Sequence, residues 1–568
     1  MAETVNAGDR IWLKQYDSGI PEKIDYIRKC VPEFLDRAAE DFPDCMGLSF
    51  QGYEMTFSEM NDMVNRFANR IIEAGIGQGD RVAILLPNCI PCVIAYYAVL
   101  RAGAIVVMNN PLYSDRELKH QFNDSGSVML VTLDLLADRM IKLREETGIR
   151  SIIYTSIGDY LPFPKSLLFP LVGVKKGLAA QVMKAPSVIK WKDFIKGASA
   201  ENPGVDVSVD DDAMYQYTGG TTGISKGAVL THMNVSAQVQ QVASWFPGLE
   251  RGTEIMMGAL PYFHVFGMST SMNLAVIMGW GNVLVPKPQP EPLIQAIEKY
   301  RVTFAPMVPT MYIGMLGHPR IEKADLSCIT GCFSGSAPLP VEVIRDFEKK
   351  TGSLIVEGFG LTESSPVTHI NPFVKGKTKP GTIGLPLPDT ECRIVDIADG
   401  STDVPPGERG ELLIRGPQVM KGYLNMPDET EKTIRNGWLH TGDIAVMDSQ
   451  GYFSIVDRKK DIVISGGYNI YPRDIDEIMY ENDKVREACS IGVPHPKRGE
   501  AVKTFIVLKQ GFTATQEEFI EFCRGKLASY KLPSEIEFRD ELPKTTVGKI
   551  LRTELRQEEL RRRTQAVH

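Results

Sequence analysis

Short apolar runs alternate with helical patterns along much of the chain, and this alternation restricts the fold more than any other feature of the sequence. Runs at 80–87, 104–108 and 128–132 have the length and composition of parallel strands that are buried on both faces. A helical pattern at 115–123 lies between two of them. The alternation resumes over 214–370. Strands that alternate with helices predict doubly wound α/β subdomains, in which helices cover both faces of a parallel sheet.

The pattern at 31–75 predicts helical segments around a short hairpin. Apolar residues such as Phe67 and Ile71 follow helical spacing in the second helix. Ser58, with Asn61 three residues later, is the candidate N-cap of that helix.

Two later regions follow other patterns. Short alternating strands over 384–415 predict a small β-rich subdomain. Beyond the charged run at 457–461, a helix at 472–481, strands at 488–493 and 502–508 and a helix at 515–528 predict a compact α+β unit. A chain of 568 residues is too long for one core. We therefore expect an N-terminal domain at 1–456, a hinge at 457–461 and a C-terminal domain at 462–568.

Composition excludes several classes of protein. The chain is 43% hydrophobic and 24% charged, which is typical of a globular protein and not of a disordered one. A net charge of −8 argues against non-specific nucleic-acid binding. The N-terminus lacks the pattern of a signal peptide, and the nine scattered cysteines indicate a reduced compartment. These observations predict a cytoplasmic protein.

Two stretches have competing interpretations. Cys89 and Cys92 form a lone CxxC, which could be a redox motif or half of a zinc site. No second CxxC and no His cluster accompany it, so we expect buried structural cysteines. Residues 255–286 carry no charge and are long enough to span a bilayer. Pro261 and several glycines interrupt them, which favours a buried strand-and-helix segment that lines an apolar pocket.

Residues 160–196 combine prolines, large apolar residues and seven lysines. Inside this stretch only Asp193 opposes the lysines. Such a mixture can lie on an anionic lipid surface. It can equally be a solvated insertion with a few residues packed on the domain, and the sequence leaves both interpretations open.

The segment 217–227 predicts a phosphate-binding loop. It holds four glycines, three threonines and one lysine in eleven residues. Glycines allow the backbone N–H groups to approach an anion closely, and Lys226 adds a charge suited to phosphate. The ending of a Walker A loop is absent. A mobile surface loop of glycine and threonine is the competing interpretation.

Further motifs follow this loop in a fixed order. They are Ser334–Leu339, Glu357–Glu363, Trp438–Asp443, Asp457–Asp461 and Pro543–Lys549. Together with the loop, they resemble the adenylate-forming superfamily, which includes acyl-CoA synthetases, luciferases and the adenylation domains of peptide synthetases. The resemblance runs from about residue 30 to about residue 556.

The segments Thr218–Gly223, Asn110–Tyr113 and Trp12–Tyr16 look most like those of bacterial long-chain fatty-acid–CoA ligases. The resemblance implies an ATP-dependent reaction in two steps. A carboxylate attacks the α-phosphate of ATP to give acyl-AMP and pyrophosphate, and the thiol of coenzyme A then displaces AMP. It also implies two doubly wound α/β subdomains and a small β-rich subdomain in the large domain, followed by a small mobile α+β domain.

The resemblance assigns roles to residues of the ATP site. Thr221 and Glu363 would approach Mg²⁺, and Thr362 would donate to the α-phosphate. Phe359 would stack on adenine, and Asp443 and Arg458 would bind the ribose. The phosphate loop would comprise Thr218, Gly219, Gly220, Thr221, Thr222, Gly223 and Lys226. The adenine wall and its motif would comprise Gly335, Ser336, Ala337, Glu357, Gly358 and Gly360.

The resemblance also assigns roles to a catalytic lysine, to the hinge, and to residues of the acyl and coenzyme A sites. Lys549 would bridge the substrate carboxylate and the α-phosphate as the catalytic cation. Lys460 falls at the hinge position of the family. His264 would lie at the mouth of the acyl pocket as a positioning residue. The residues expected to face coenzyme A are Gly466, Gly467 and Tyr468.

The chain departs from the family at three positions. Phe359 stands where most relatives have tyrosine, Ser225 where many have proline, and Met268 where some long-chain relatives have a gating tryptophan. The last departure leaves a medium-chain or aromatic acid open as substrate.

The sequence also leaves three further functions open, namely transfer of the acyl group to a carrier protein, a luciferase-type monooxygenase activity and non-catalytic binding. The intact motifs and the likeness to fatty-acid–CoA ligases favour transfer to free coenzyme A. Peripheral attachment at the inner face of the membrane through 160–196 and a homodimer are additional expectations.

Overall fold

The computed structural model describes residues 10–218, 225–466, 468–545 and 548–565. It divides into two compact units. The large unit comprises 15–391 and 415–439, and the small unit comprises 1–14, 392–414 and 440–568.

Two sheets form the framework of the large unit. The first has eight strands, and its central strands are parallel because helical crossovers join them. In spatial order they are Gly422–Tyr423, Lys226–Thr231, Asp212–Thr218, Ile105–Met108, Arg81–Leu85, Met129–Leu133, Ser151–Thr155 and Val188–Lys190.

The second sheet has nine strands, parallel in the middle and antiparallel at both ends. In spatial order they are Leu385–Pro386, Val367–Ile370, Leu354–Gly360, Gly331–Ser334, Phe304–Met307, Ile255–Gly258, Gly281–Leu284, Met46–Phe50 and Tyr53–Thr56. The two sheets confirm the prediction of two doubly wound α/β subdomains.

Most helices of the large unit bury an apolar face. The α-helices of the large unit are Glu33–Asp41, Phe57–Glu73, Ile90–Arg101, Asp115–Ser125, Asp134–Leu143, Lys165–Lys175, Trp191–Phe194, His232–Ser244, Val265–Gly267, Leu274–Met278, Pro290–Tyr300, Pro309–Leu316, Val341–Thr351 and Pro427–Thr433.

The small unit contains strands of two further sheets. The strands Glu391–Val395, Gly410–Arg415, Trp438–Met447 and Phe453–Arg458 belong to the β-rich subdomain. The second sheet comprises Tyr468–Ile470, Val463–Ser465, Gly499–Leu508, Val485–His495 and Glu535–Phe538. Its helices are Pro472–Tyr480, Gln516–Cys523 and Arg552–Gln565.

Two local predictions were wrong. The N-cap of helix Phe57–Glu73 is Thr56 and not Ser58, because Thr56 and Glu59 exchange hydrogen bonds in a capping box. The helix predicted to run to residue 528 ends at Cys523, where Arg524 adopts an extended conformation and Gly525 has a φ of +82°.

Cys89 and Cys92 are buried and free, as predicted for structural cysteines. Burial raises the pKa of the Cys89 thiol to about 12, so it is a poor nucleophile and a poor metal ligand. Within the described ranges, no group of three or more His, Cys, Asp or Glu residues could hold a metal ion.

The charge-free stretch at 255–286 forms buried strands and helices. This confirms its interpretation as an internal segment, while the apolar pocket along it stays a prediction. None of the helices that the structure describes combines the length and apolar content needed to cross a bilayer.

Candidate functional site

The ends of the predicted phosphate loop lie in a β-hairpin of the large unit. Thr218 ends one strand and pairs with Lys226, which begins the next. Helix Asp115–Ser125 contacts Ser225 through His120. The His120 Nε2 atom lies 2.9 Å from the carbonyl oxygen of Ser225. Five predicted loop residues lie outside the described residues, namely Gly219, Gly220, Thr221, Thr222 and Gly223.

Lys226 and Glu363 belong to one series of polar contacts. Lys226 Nζ donates to Glu429 Oε2 at 2.6 Å and lies 5.1 Å from the centre of the Tyr423 ring. The Tyr423 hydroxyl donates to Glu363 Oε1, also at 2.6 Å. Tyr423 reaches this position because its short strand pairs with the strand that starts at Lys226.

The pKa shifts of these residues agree with their contacts. The Lys226 ammonium lowers the pKa of Glu429. Burial, and then the charge of Glu363, raise the pKa of the Tyr423 hydroxyl well above its usual value. Tyr423 therefore remains a protonated donor toward Glu363 at neutral pH.

The Glu363 carboxylate fits a magnesium site. Among the residues that the structure describes, Tyr423 alone bonds to this carboxylate, and it occupies one oxygen. Mg²⁺ takes oxygen ligands and keeps several waters, so one open carboxylate oxygen and a hydroxyl are a sufficient protein contribution. Thr221, the other predicted ligand, lies outside the described residues.

The predicted adenine wall lies at the adjacent ends of two parallel strands. Ser334 pairs with Glu357, so the segment 335–337 after one strand lies beside 358–360 at the end of the next. Ligands of open α/β sheets bind at this edge. Phe359 is half-buried, and its ring meets the His369 ring edge-on at 6.1 Å.

Close packing explains the small residues of the wall. A Cβ atom on Gly335 would lie 2.9 Å from the Phe266 ring, and one on Gly360 would lie 2.1 Å from the Pro366 carbonyl oxygen. Ser336 has a φ of +76°, an uncommon conformation for a residue with a side chain.

Glu357 forms hydrogen bonds with the backbone that follows the wall segment 335–337 and with a second segment. Its carboxylate accepts N–H groups of Leu339 at 3.1 Å and Gly381 at 3.2 Å, and the side chain is buried. These bonds favour a positioning role over direct contact with adenine. Thr362 begins the short turn Thr362–Ser364, which also carries Glu363.

His264 lies next to the same wall. Its Nδ1 accepts the N–H of Phe266 at 3.2 Å, and the Phe266 ring packs against Gly335. Gln216 donates to the carbonyl of Phe263 at 2.9 Å, which ties this turn to the strand that leads into the phosphate loop. The large unit thus brings His264, the wall and the start of the loop together.

In the small unit, Asp443 and Arg458 form an ion pair across two paired strands. Arg458 Nε lies 2.9 Å from Asp443 Oδ1. Asp443 is buried, and its Oδ2 has no hydrogen-bond partner among the described residues. A buried carboxylate oxygen without a partner is costly. It is therefore a ready acceptor for a hydroxyl group such as those of ribose.

Lys549 lies in a tight loop of the small unit. Thr545 N donates to the Lys549 carbonyl at 2.8 Å, Lys549 N donates to Thr545 Oγ1 at 3.1 Å, and Gly548 has a φ of +76°. The Lys549 side chain is exposed. The positive charge of Arg458 lowers the pKa of Lys549 to about 8, although Asp443 acts in the opposite direction.

The charged run at 457–461 is tied to the C-terminal helix. Arg552 pairs with Asp457 at 3.2 Å and with Asp476, and Arg556 pairs with Asp461 at 3.3 Å. Since Arg552 follows the Lys549 loop directly, these pairs fix the base of the loop.

Lys460 lies in the 3-10 turn Lys459–Asp461 within this run. Partial loss of hydration, followed by the charge of Arg458, lowers its pKa. Gly466 has a φ of +58°, and the exposed Tyr468 stacks on Tyr530 with ring centres 4.6 Å apart. Gly467 lies outside the described residues.

Sequence reasoning missed Tyr423, Glu429 and Arg552. Each contributes a bond to a predicted site residue or to the element that carries one, but none belongs to a motif that the sequence analysis named. No pattern near them in the sequence indicates these partners, because the partners come from distant segments.

Two models of enzyme families match most of the chain. The family model described as "AMP-binding enzyme" matches residues 35–424, and "AMP-binding enzyme C-terminal domain" matches 474–549. A long-chain-fatty-acid–CoA ligase of Bacillus subtilis (strain 168) is 45% identical over 551 residues, which cover 96% of this chain and 98% of that protein.

A long-chain-fatty-acid–CoA ligase of Escherichia coli O6:H1 is 38% identical over 97% of this chain and 98% of its own length. Among solved structures, ATP-bound MatB from Rhodopseudomonas palustris matches with a TM-score of 0.82 and 28% identity, over 93% of this chain and 99% of that one. On the strength of the matched domains and these full-length relatives, the chain belongs to the AMP-binding enzyme family.

Proposed function

We propose that this protein ligates a fatty acid to coenzyme A through an acyl-AMP intermediate and releases AMP and pyrophosphate. The observation that carries the proposal is the cluster in the small unit. There Asp443 presents a buried carboxylate oxygen that has no hydrogen-bond partner among the described residues, next to the cationic side chains of Arg458 and Lys549. Long-chain-fatty-acid–CoA ligases among the full-length relatives support the choice of substrate class.

Asp443, Arg458 and Phe359 are the residues proposed to bind the nucleoside. Asp443 would accept hydrogen bonds from the ribose hydroxyls, and Arg458 would donate to the same sugar. Phe359 would stack on adenine opposite the wall of Gly335, Ser336 and Ala337.

The phosphates of ATP would bind at the phosphate loop, from Thr218 to Lys226. Lys226 would then exchange its pair with Glu429 for a pair with phosphate. Thr362 would donate to the α-phosphate. Glu363 and Thr221 would hold Mg²⁺, which neutralises charge on the leaving pyrophosphate when it is bound.

Lys549 would stabilise the first chemical step. The substrate carboxylate and the α-phosphate are both anions and repel each other. A cation between them lowers this repulsion and fixes the direction of attack. No protein base is required, because the carboxylate is already ionised, and His264 would position the acyl chain.

The second step would require the small domain to turn about a hinge at 457–461, with Lys460 at its centre. Gly466, Gly467 and Tyr468 would then face coenzyme A. The proposed division into 1–456 and 462–568 follows from this motion.

We also propose a cytoplasmic protein that associates peripherally with the inner face of the membrane, because fatty acids partition into lipid. A homodimer stays a prediction that light scattering would test.

The substrate class is tested with a panel of acids from acetate to oleate, plus benzoate, scored by AMP formation in the presence of coenzyme A. We expect the highest kcat/KM with a long-chain acid, and pyrophosphate release that requires both the acid and ATP. A maximum with benzoate would contradict the fatty-acid assignment. A thioester formed on a carrier protein but not on coenzyme A would contradict the assignment of the acceptor.

The effect of Arg458 on the pKa of Lys549 leads to a prediction for the pH dependence of the first step. Lys549 acts as a cation, so kcat/KM for adenylation should fall as the pH rises through its pKa of about 8. Arg458→Met removes the charge that lowers this pKa and should move the alkaline limb up by roughly one pH unit. Arg458→Lys keeps the charge and should leave the limb in place, although both variants lose activity. The same limb in both variants would show that another group titrates.

The hydrogen bond from Tyr423 to Glu363 leads to a prediction for the Mg²⁺ concentration that the reaction requires. Tyr423→Phe removes the hydroxyl that orients Glu363 but keeps the ring beside Lys226. We expect the Mg²⁺ concentration for half-maximal adenylation to rise about tenfold, as for other partners of metal ligands. Tyr215→Phe is the matched control, because its hydroxyl bonds to Asp212 and not to Glu363. An equal Mg²⁺ requirement in both variants would refute the role of Tyr423.

A further inference from the structure

The helix Lys165–Lys175 has an unusual composition for its surroundings. It carries no charged residue between its two terminal lysines. A helix that is apolar on all sides is normally buried in a protein core or in a membrane. This helix lies at the surface, and most of its large side chains face solvent.

The exposed apolar side chains are concentrated around this helix. Among the described residues, nineteen large apolar side chains are exposed, and eight of them fall within 163–189. Phe163 is 82% exposed and Leu167 is 68% exposed. The others are Leu168, Val172, Val174, Leu178, Met183 and Ile189. An exposed cluster of this kind marks a site of interaction with a protein or a membrane.

The segment is attached to the rest of the large unit at a few points. The Phe169 ring packs against Gly158, outside the helix, where an added Cβ atom would lie within 3 Å of it. The backbone N–H of Ala180 donates to Asp134 at 3.3 Å, and that of Met183 donates to Asp138 at 2.9 Å. These contacts hold the segment in place while its apolar side chains stay exposed.

Lysines accompany the exposed apolar residues. Between 160 and 192 there are six lysines and no acidic residue. Lys192 pairs with Asp159 at 3.4 Å. Lys165, Lys175, Lys176 and Lys184 form no ion pair within the part of the chain that the structure describes, and all are exposed.

We infer that the segment 161–184 is the surface through which this protein binds an anionic lipid bilayer. Apolar side chains would enter the boundary between headgroups and acyl chains, and the lysines would contact anionic headgroups. Charge complementarity favours lipid over a second copy of the chain, because two such lysine-rich surfaces would repel each other. This inference deepens the proposed membrane association, and it can fail without affecting the proposed ligase activity.

The test is co-sedimentation of the full-length protein with vesicles of phosphatidylglycerol and phosphatidylcholine in equal parts, and with pure phosphatidylcholine vesicles. Wild-type protein should bind the mixed vesicles more tightly, and high salt should weaken that binding. Leu167→Ser with Leu168→Ser should weaken partitioning about tenfold or more. Lys175→Gln with Lys176→Gln should weaken it by roughly ten- to thirtyfold.

Matched controls lie on other helices of the large unit. Ile313→Ser with Val341→Ser removes two exposed apolar side chains, and Lys349→Gln with Lys350→Gln removes an adjacent pair of lysines. Neither pair should change vesicle binding. All variants should keep wild-type activity on a soluble medium-chain acid, which separates lipid binding from catalysis.

Three outcomes would overturn the inference. The first is equal vesicle binding by wild-type protein and the 167/168 variant. The second is binding to pure phosphatidylcholine that equals binding to the mixed vesicles. The third is a dimer, seen by light scattering, that the 167/168 variant converts to a monomer, because the segment would then be a contact between two copies.

Discussion

An excess of positive charge around one buried carboxylate is the constraint on which the chemistry of the small unit depends. Arg458, Lys460 and Lys549 lie close enough for the charge of Arg458 to lower the pKa of both lysines, whereas Asp443 supplies the opposing charge. Such an arrangement is stabilised by an added anion. In the proposed function a nucleotide phosphate would supply that anion. Asp443 Oδ2, which has no hydrogen-bond partner in the part of the chain that the structure describes, would supply an acceptor for the sugar.

The large unit carries a related arrangement. Lys226 is paired with Glu429, and Glu363 accepts a hydrogen bond from Tyr423, so the groups proposed to meet the phosphates and the metal already have partners. Glu429 is half-buried, with 37% of its side chain exposed, and we expect it to release Lys226 at small cost. We expect Tyr423 to keep its bond to Glu363 when ligands bind. One contact would then be exchanged on binding and the other retained.

Periodicity and motif order predicted much of the fold and part of the site. The parallel strands and the adjacency of 335–337 with 358–360 follow from local patterns and from the rules of α/β sheets. The partners of the site residues could not be predicted. Tyr423 is 60 residues from Glu363, and Glu429 is 203 residues from Lys226, so only the folded chain brings them together. The cap at Thr56 differs, because its pattern with Glu59 is local and was available in the sequence.

We propose that the Lys549 cation draws two repelling anions together in the first step and has no such task in the second. Single-turnover formation of acyl-AMP by Lys549→Ala and, separately, thioester formation from supplied acyl-AMP by the same variant test this role. Lys544→Ala, in the same loop but paired with Glu487, is the control. We expect Lys549→Ala to slow acyl-AMP formation by about a hundredfold or more, while thioester formation stays near that of the control. Acyl-AMP formation at the control rate in Lys549→Ala would contradict this role.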